Sequence, residues 1–222
     1  MPAPRMRVGL FGNSPAGHEL AAGMQAAGHT VVPVVVLADA ASCEALILAV
    51  DEARLPGAVE LLAPTVRPGQ IVIHTCLSLG VQVLDDLETR GAVVIAASPV
   101  SVQRWAVTTL DELGETIAGL ILGEMGATGV AKTDAERGVL AARLAYAQML
   151  TSLAESARHD VRLLMDEETD VGADADVHAV IAGYAHVDEP GLRRAYVEAA
   201  RRYGEVEERE DMEMWALQEE TR

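Results

Sequence analysis

Three unbroken apolar runs do most to constrain this chain: EALILAV (44–50), QIVIHT (70–75) and AVVIAA (92–97). None alternates apolar with polar residues, so each reads as a strand covered on both faces, as in a parallel sheet. Helical stretches separate them, LPGAVELLAPTV (55–66) and LGVQVLDDLETRG (79–91). Upstream, MRVGLF (6–11) reads as a strand, GHELAAGMQAAG (17–28) as a short helix, and TVVPVVVL (30–37) as a second strand-like run. Pro33 inside that run lacks an amide donor and predicts a bend or an edge position. The alternation over residues 1–103 predicts an α/β fold: a parallel sheet with helices on both faces.

The pattern changes from about residue 108. LDELGETIAGLILGEMG (110–126) has helical spacing, and residues 133–165 form a long proline-free helical pattern with Thr133 as its N-cap. The remainder is helical with breaks at DVGAD and DEPG. Residues 104–222 are therefore expected to form an all-α domain that dimerises, since a flat set of Ala-rich helices has little core of its own.

The chain has 222 residues and a net charge of −17. Residues 160–190 carry nine acids against Arg162, and residues 205–222 carry eight against Arg209 and Arg222, which puts 14 of those 17 charges in two segments. Such a surface repels nucleic acid and anionic membranes, so neither is an expected partner. No run of eighteen apolar residues predicts a membrane span. The opening MPAPRMRVGLFG reads as a short tail before a strand, without a signal peptide's apolar stretch. With only Cys43 and Cys76, no disulfide framework is expected, and the expected compartment is the cytoplasm. The acidic DEETDVGADAD lacks the residue order of a calcium loop, and His159, His178 and His186 lack zinc spacing, so no metal is expected.

The layout resembles the β-hydroxyacid dehydrogenase branch of the 6-phosphogluconate-dehydrogenase-like superfamily, over most of residues 6–165. VGLFGNSPAGHELAAGMQAAGH resembles its opening strand, glycine loop and helix. EALILAVDEARLPGAVELLAPTVRPGQIVIHTCLS resembles its fourth strand, next helix and next strand. RGAVVIAASPVS resembles its substrate loop, and GVLAARLAYAQML its central catalytic helix. The resemblance implies a Rossmann-like, NAD(P)-binding half, here shortened, a helical half and a homodimer.

The residues depart from that pattern at four places. Gly12-x-Ser14-x-x-Gly17 puts a Cβ where the middle glycine lets a pyrophosphate approach, and Pro15 removes a donor. The ribose acid expected about twenty positions on is missing, and the nearest, Asp39, lies 27 residues after Gly12. Only LADAASC separates VVPVVV from EALILAV, so about one helix and one strand of the adenosine pocket are absent. Arg143 stands where the family has its catalytic Lys, with Tyr146 and Ala147 in place of its Asn, and the substrate loop has Val102 and Gln103 for two glycines.

These departures favour a redox-neutral enzyme of lyase, isomerase or hydratase type, acting on a polar or anionic metabolite without a cofactor. His74 and Tyr146 are its candidate acid and base, because imidazole titrates near neutrality. Arg143 is its anion clamp. Thr75, Ser78, Ser98, Ser101 and Gln148 are candidate substrate contacts. A β-hydroxyacid-type reductase holding NAD(P) on Gly12, Ser14 and Gly17 is the alternative. A non-catalytic binding protein is the third reading.

Overall fold

The computed structural model describes residues 5–165 and 175–221. Residues 166–174, which hold most of the acidic stretch compared above with a calcium loop, lie outside them. Contacts divide the chain into two units, one ending at Leu153 and the other starting at Ala154.

The first unit is built on a seven-stranded sheet: β1 (Arg7–Gly12), β2 (Thr30–Pro33), β3 (Ala45–Ala49), β4 (Ile71–His74), β5 (Val93–Ser101), β6 (Arg104–Thr109) and β7 (Thr128–Ala131). Their order is β2-β1-β3-β4-β5-β6-β7. All neighbours are parallel except β5 and β6. Pro33 closes β2 at the sheet's edge, where its missing amide is harmless.

The helices are α1 (Pro15–Ala26), α2 (Leu37–Ala41), α3 (Leu55–Leu62), α4 (Asp85–Glu88), α5 (Glu112–Glu124) and α6 (Asp134–Met165). The apolar runs alternate between two layers. Leu46, Leu48, Val72, Val94 and Ala96 pack with Leu55, Val59 and Leu62 of α3 and Leu87 of α4. Ala45, Ile47, Ile73, Ile95, Ala97, Trp105 and Val107 pack with Leu20 and Met24 of α1 and Ala118, Ile121 and Leu122 of α5. Every β3 residue is buried, which is why that run shows no polar alternation.

The expectation of an all-α region from residue 104 needs correction. β6 turns back from β5 through Val102 and Gln103 and pairs antiparallel with it, and β7 adds to the same sheet after α5. Thr133 caps α6 as expected, in a reciprocal box: Glu136 N–H donates to its hydroxyl (3.3 Å), and Thr133 N–H donates to the Glu136 carboxylate (2.8 Å).

In the second unit, α7 (Val177–Tyr184), α8 (Pro190–Val206) and α9 (Glu210–Glu220) share a small core of Val177, Val197, Ala200, Met212 and Ala216. Tyr184 meets Trp215 edge to face at 5.3 Å. No helix among the described residues is long and apolar enough to cross a membrane.

Candidate functional site

Ligands of open α/β sheets bind beyond the carboxyl ends of the strands. Here those ends carry the β1–α1 turn, the β3–α3 turn and the segment after His74.

The β1–α1 turn is closed onto its own side chains. Gly12 has φ +99°, and a Cβ there would lie 2.2 Å from the carbonyl oxygen of Ala49. A Cβ on Gly17 would lie 2.2 Å from that of Ala49, so both glycines let α1 pack tightly on β3. Ser14 is the N-cap: its Oγ accepts from Gly17 N–H at 3.3 Å, and its own N–H donates to Ala49 O at 2.7 Å. Pro15 has no N–H to offer. Of the first-turn amides that make a helix start an anion site, one is missing and one is taken. Ser14 Oγ also lies 3.5 Å from Thr75 Oγ1.

Asp39 is closer to the end of β2 than its sequence distance suggests. Its carboxylate reaches back and accepts from the N–H groups of Val35 and Val36 (3.1 and 3.0 Å), just past β2. Those two bonds hold its pKa below the usual carboxylate range. Both use the same oxygen, Oδ2.

His74 is fully buried. Cys76 N–H donates to its Nδ1 (3.3 Å), so the ring proton sits on Nε2, which donates to Gly80 O (3.0 Å). Burial, helped by the charge of Arg137, pushes its pKa down to about 4. As placed, the ring is neutral, with both nitrogens committed to the backbone of its own loop. Cys76 is buried too, donating to Val50 O at 3.3 Å. Burial, with the nearby carboxylates of Glu52 and Asp51, pushes its thiol up to about 12, which leaves no thiolate near neutral pH.

Sequence reasoning missed Arg137. Its side chain is fully buried in the first turns of α6. Nε donates to Leu79 O (2.7 Å), Nη1 to Ala106 O (3.1 Å) and Ala96 O (3.4 Å), and Nη2 to Cys76 O (2.9 Å) and Ser98 Oγ (2.6 Å). All five guanidinium protons are thus satisfied without a carboxylate. Burial lowers its pKa to about 10, so it stays charged at neutral pH. One turn earlier, Asp134 accepts from Val81 N–H (3.0 Å) and Gln82 N–H (3.3 Å), capping the short 3-10 turn there. Arg137 shares a helical stripe with the half-buried Leu140, Ala141 and Leu144, but an arginine at such a position carries no sequence signal of its own.

The remaining candidates separate. Thr75 is buried beside Ser14. Ser98 is buried and held by Arg137. Ser78, Ser101, Arg143 and Gln148 are exposed, and Tyr146 is 41% exposed. Among the described residues, no group of three or more His, Cys, Asp or Glu side chains is arranged to hold a metal ion.

Residues 33–99 match the model of the Rossmann-like domain family, and residues 133–219 match that of the 6-phosphogluconate dehydrogenase C-terminal domain-like family. No curated protein matches the chain. Among solved structures, it is similar to Mycobacterium tuberculosis 3-hydroxyisobutyrate dehydrogenase with L-serine (TM-score 0.52, 16% identity), over 73% of this chain and 66% of that one. It is also similar to a semialdehyde dehydrogenase NAD-binding protein from Cupriavidus necator in complex with calcium and NAD (TM-score 0.53, 15% identity), over 97% of this chain and 99% of that one. At these identities the likeness is one of fold. The chain thus joins a segment similar to Rossmann-like domains to one similar to 6-phosphogluconate dehydrogenase C-terminal domains.

Proposed function

We propose that this chain is a small-molecule enzyme that uses the carboxyl edge of its sheet without a dinucleotide seated on α1. Its chemistry in this reading is redox-neutral proton transfer, of lyase, isomerase or hydratase type, on a polar or anionic metabolite. The observation that carries it is the occupied start of α1: Ser14 Oγ holds the Gly17 amide and Pro15 offers none. The exposed carboxylates of Asp51 and Glu52 in the β3–α3 turn further disfavour a pyrophosphate there.

Ser14 and Thr75 are the hydroxyls that would orient the metabolite, with Ser78, Ser101 and Gln148 as outer polar contacts. In this reading Arg143, as anion clamp, and Tyr146, as proton carrier, would have to reach the metabolite from the exposed face of α6. His74, neutral and bonded to Cys76 N–H and Gly80 O, would hold the loop that follows Thr75 rather than transfer a proton. The working unit is a homodimer, because Val139, Tyr146, Met149, Leu150 and Leu153 leave apolar surface of α6 exposed. Sedimentation of the full chain tests that, and a monomer at all concentrations would remove it.

A second reading, an NAD(P)-dependent reductase of the β-hydroxyacid type, is favoured by Asp39 beside the end of β2, with Oδ1 still open to a ribose hydroxyl. The fold-level neighbour in complex with NAD points the same way. Fluorescence titration with NADH and NADPH separates the two. The proposal expects no saturable binding at micromolar protein. Saturable binding with hydride transfer to a keto acid would replace it with the second reading.

A further inference from the structure

We propose that the first turn of α6 is a latch on the ligand-facing loop, and that loop and helix open together. This rests on the reading that the carboxyl edge of the sheet is the ligand site, but its test needs no ligand. Thr75, whose hydroxyl lies 3.5 Å from that of Ser14, begins a loop running to Gln82. That loop is held chiefly from α6. Arg137 takes the carbonyls of Cys76 and Leu79, and Asp134 takes the amides of Val81 and Gln82. His74 closes the same loop from inside through Gly80 O.

The fit is tight. A Cβ on Gly80 would lie 1.8 Å from the Asp134 carboxyl carbon, so loop and helix approach as closely as a glycine permits. Arg137 also reaches Ala96 and Ser98 of β5 and Ala106 of β6, which fixes the helix start against the sheet. Releasing the loop strands charged donors in a low-dielectric site, so partial release is costly and the contacts break as a group. Any ligand that shifts Thr75 therefore acts on α6, and anything that docks on α6 acts on Thr75.

The chain carries its own reporters. Cys76 lies inside the latched loop, while Cys43 is buried elsewhere in the same unit. Labelling of the native full chain by a thiol reagent, read by peptide mass spectrometry, separates local opening from global unfolding. Arg137→Lys keeps the charge but loses the fork, and Asp134→Asn is a second, milder lesion. Each is expected to raise Cys76 labelling about tenfold while Cys43 stays at the wild-type rate. Amide exchange at Val81 and Gln82 is expected to rise together with that at Gly138–Leu140 of α6. Equal rises at Cys43 and Cys76 would reduce these residues to core stability and overturn the latch. So would faster exchange at Val81 and Gln82 with the α6 amides unchanged, or no change in Cys76. None of these outcomes depends on nicotinamide binding, so the latch and the proposed function can fail separately.

Discussion

Ser14 Oγ accepts the amide proton of Gly17 at 3.3 Å, so the start of α1 is already occupied by an oxygen of the protein. Losing that cap in Ser14→Ala is expected to cost about 1 kcal/mol, whereas Ser14→Gly costs only about a few tenths. The glycine variant also removes the Cβ and frees the Gly17 amide. Its affinity for NADH or NADPH is expected to rise about tenfold or more, the worth of a hydrogen bond to a charged group. Urea midpoints and fluorescence titration check the two halves; unchanged nucleotide affinity would mean that the cap is not what limits binding.

The buried imidazole of His74 predicts a pH dependence. The unfolded chain takes up this proton near pH 6.5 and the folded chain only near 4. Between those values the unfolded state binds the proton more readily, so stability falls as pH drops from about 6.5 to 4. The loss attributable to His74 is about 3 kcal/mol. Chemical denaturation at pH 7 and pH 4.5 is expected to show it. In His74→Gln, whose amide still offers a donor to Gly80 O, the slope over that window should flatten.

Gly80 and Asp134 should behave as one unit. A methyl group at Gly80 would overlap the Asp134 carboxyl group, so the loop and the carboxylate must part, which strains or breaks the bonds to Val81 and Gln82. Gly80→Ala alone is expected to cost about 2 kcal/mol. Adding it to Asp134→Ala should cost much less, because the clash and the bonds are already gone. A double-mutant cycle by urea melts would show strong non-additivity; additive losses would contradict the contact.

Gln103 sits in the β5–β6 turn with φ +62°, a left-handed conformation that an L side chain adopts at a cost. Its side chain is exposed, so little packing offsets that cost. Gln103→Gly is expected to stabilise the fold by up to about 1 kcal/mol, read as a higher melting temperature. A fall in stability would mean that the side chain makes an unseen contact.

The sheet's first five strands were legible because β3, β4 and the first half of β5 are buried on both faces, and burial leaves an apolar run. β7 left no such mark, since all four residues of Thr128–Ala131 are exposed. β6 was hidden because its turn, Val102–Gln103, carries no glycine to announce a hairpin. At the site, His74 was visible as a polar residue ending an apolar strand. Its hydrogen bonding was not, because the partner is a carbonyl six residues away. Arg143 and Tyr146 drew attention through resemblance, yet lie off the covered stripe of α6. Arg137 lies on it, and an arginine buried among carbonyls has no local sequence signature.

Both ends of the sheet are blunt. β2 has four residues and finishes in a proline, and β7 has four residues and no more. Neither offers a neighbouring chain a long ladder to extend, which protects the fold from edge-to-edge fibre growth. Under the proposed homodimer, self-association would fall to helical surfaces. An assembly of that kind can be dissolved by a few surface charges on the helices, with every strand left intact.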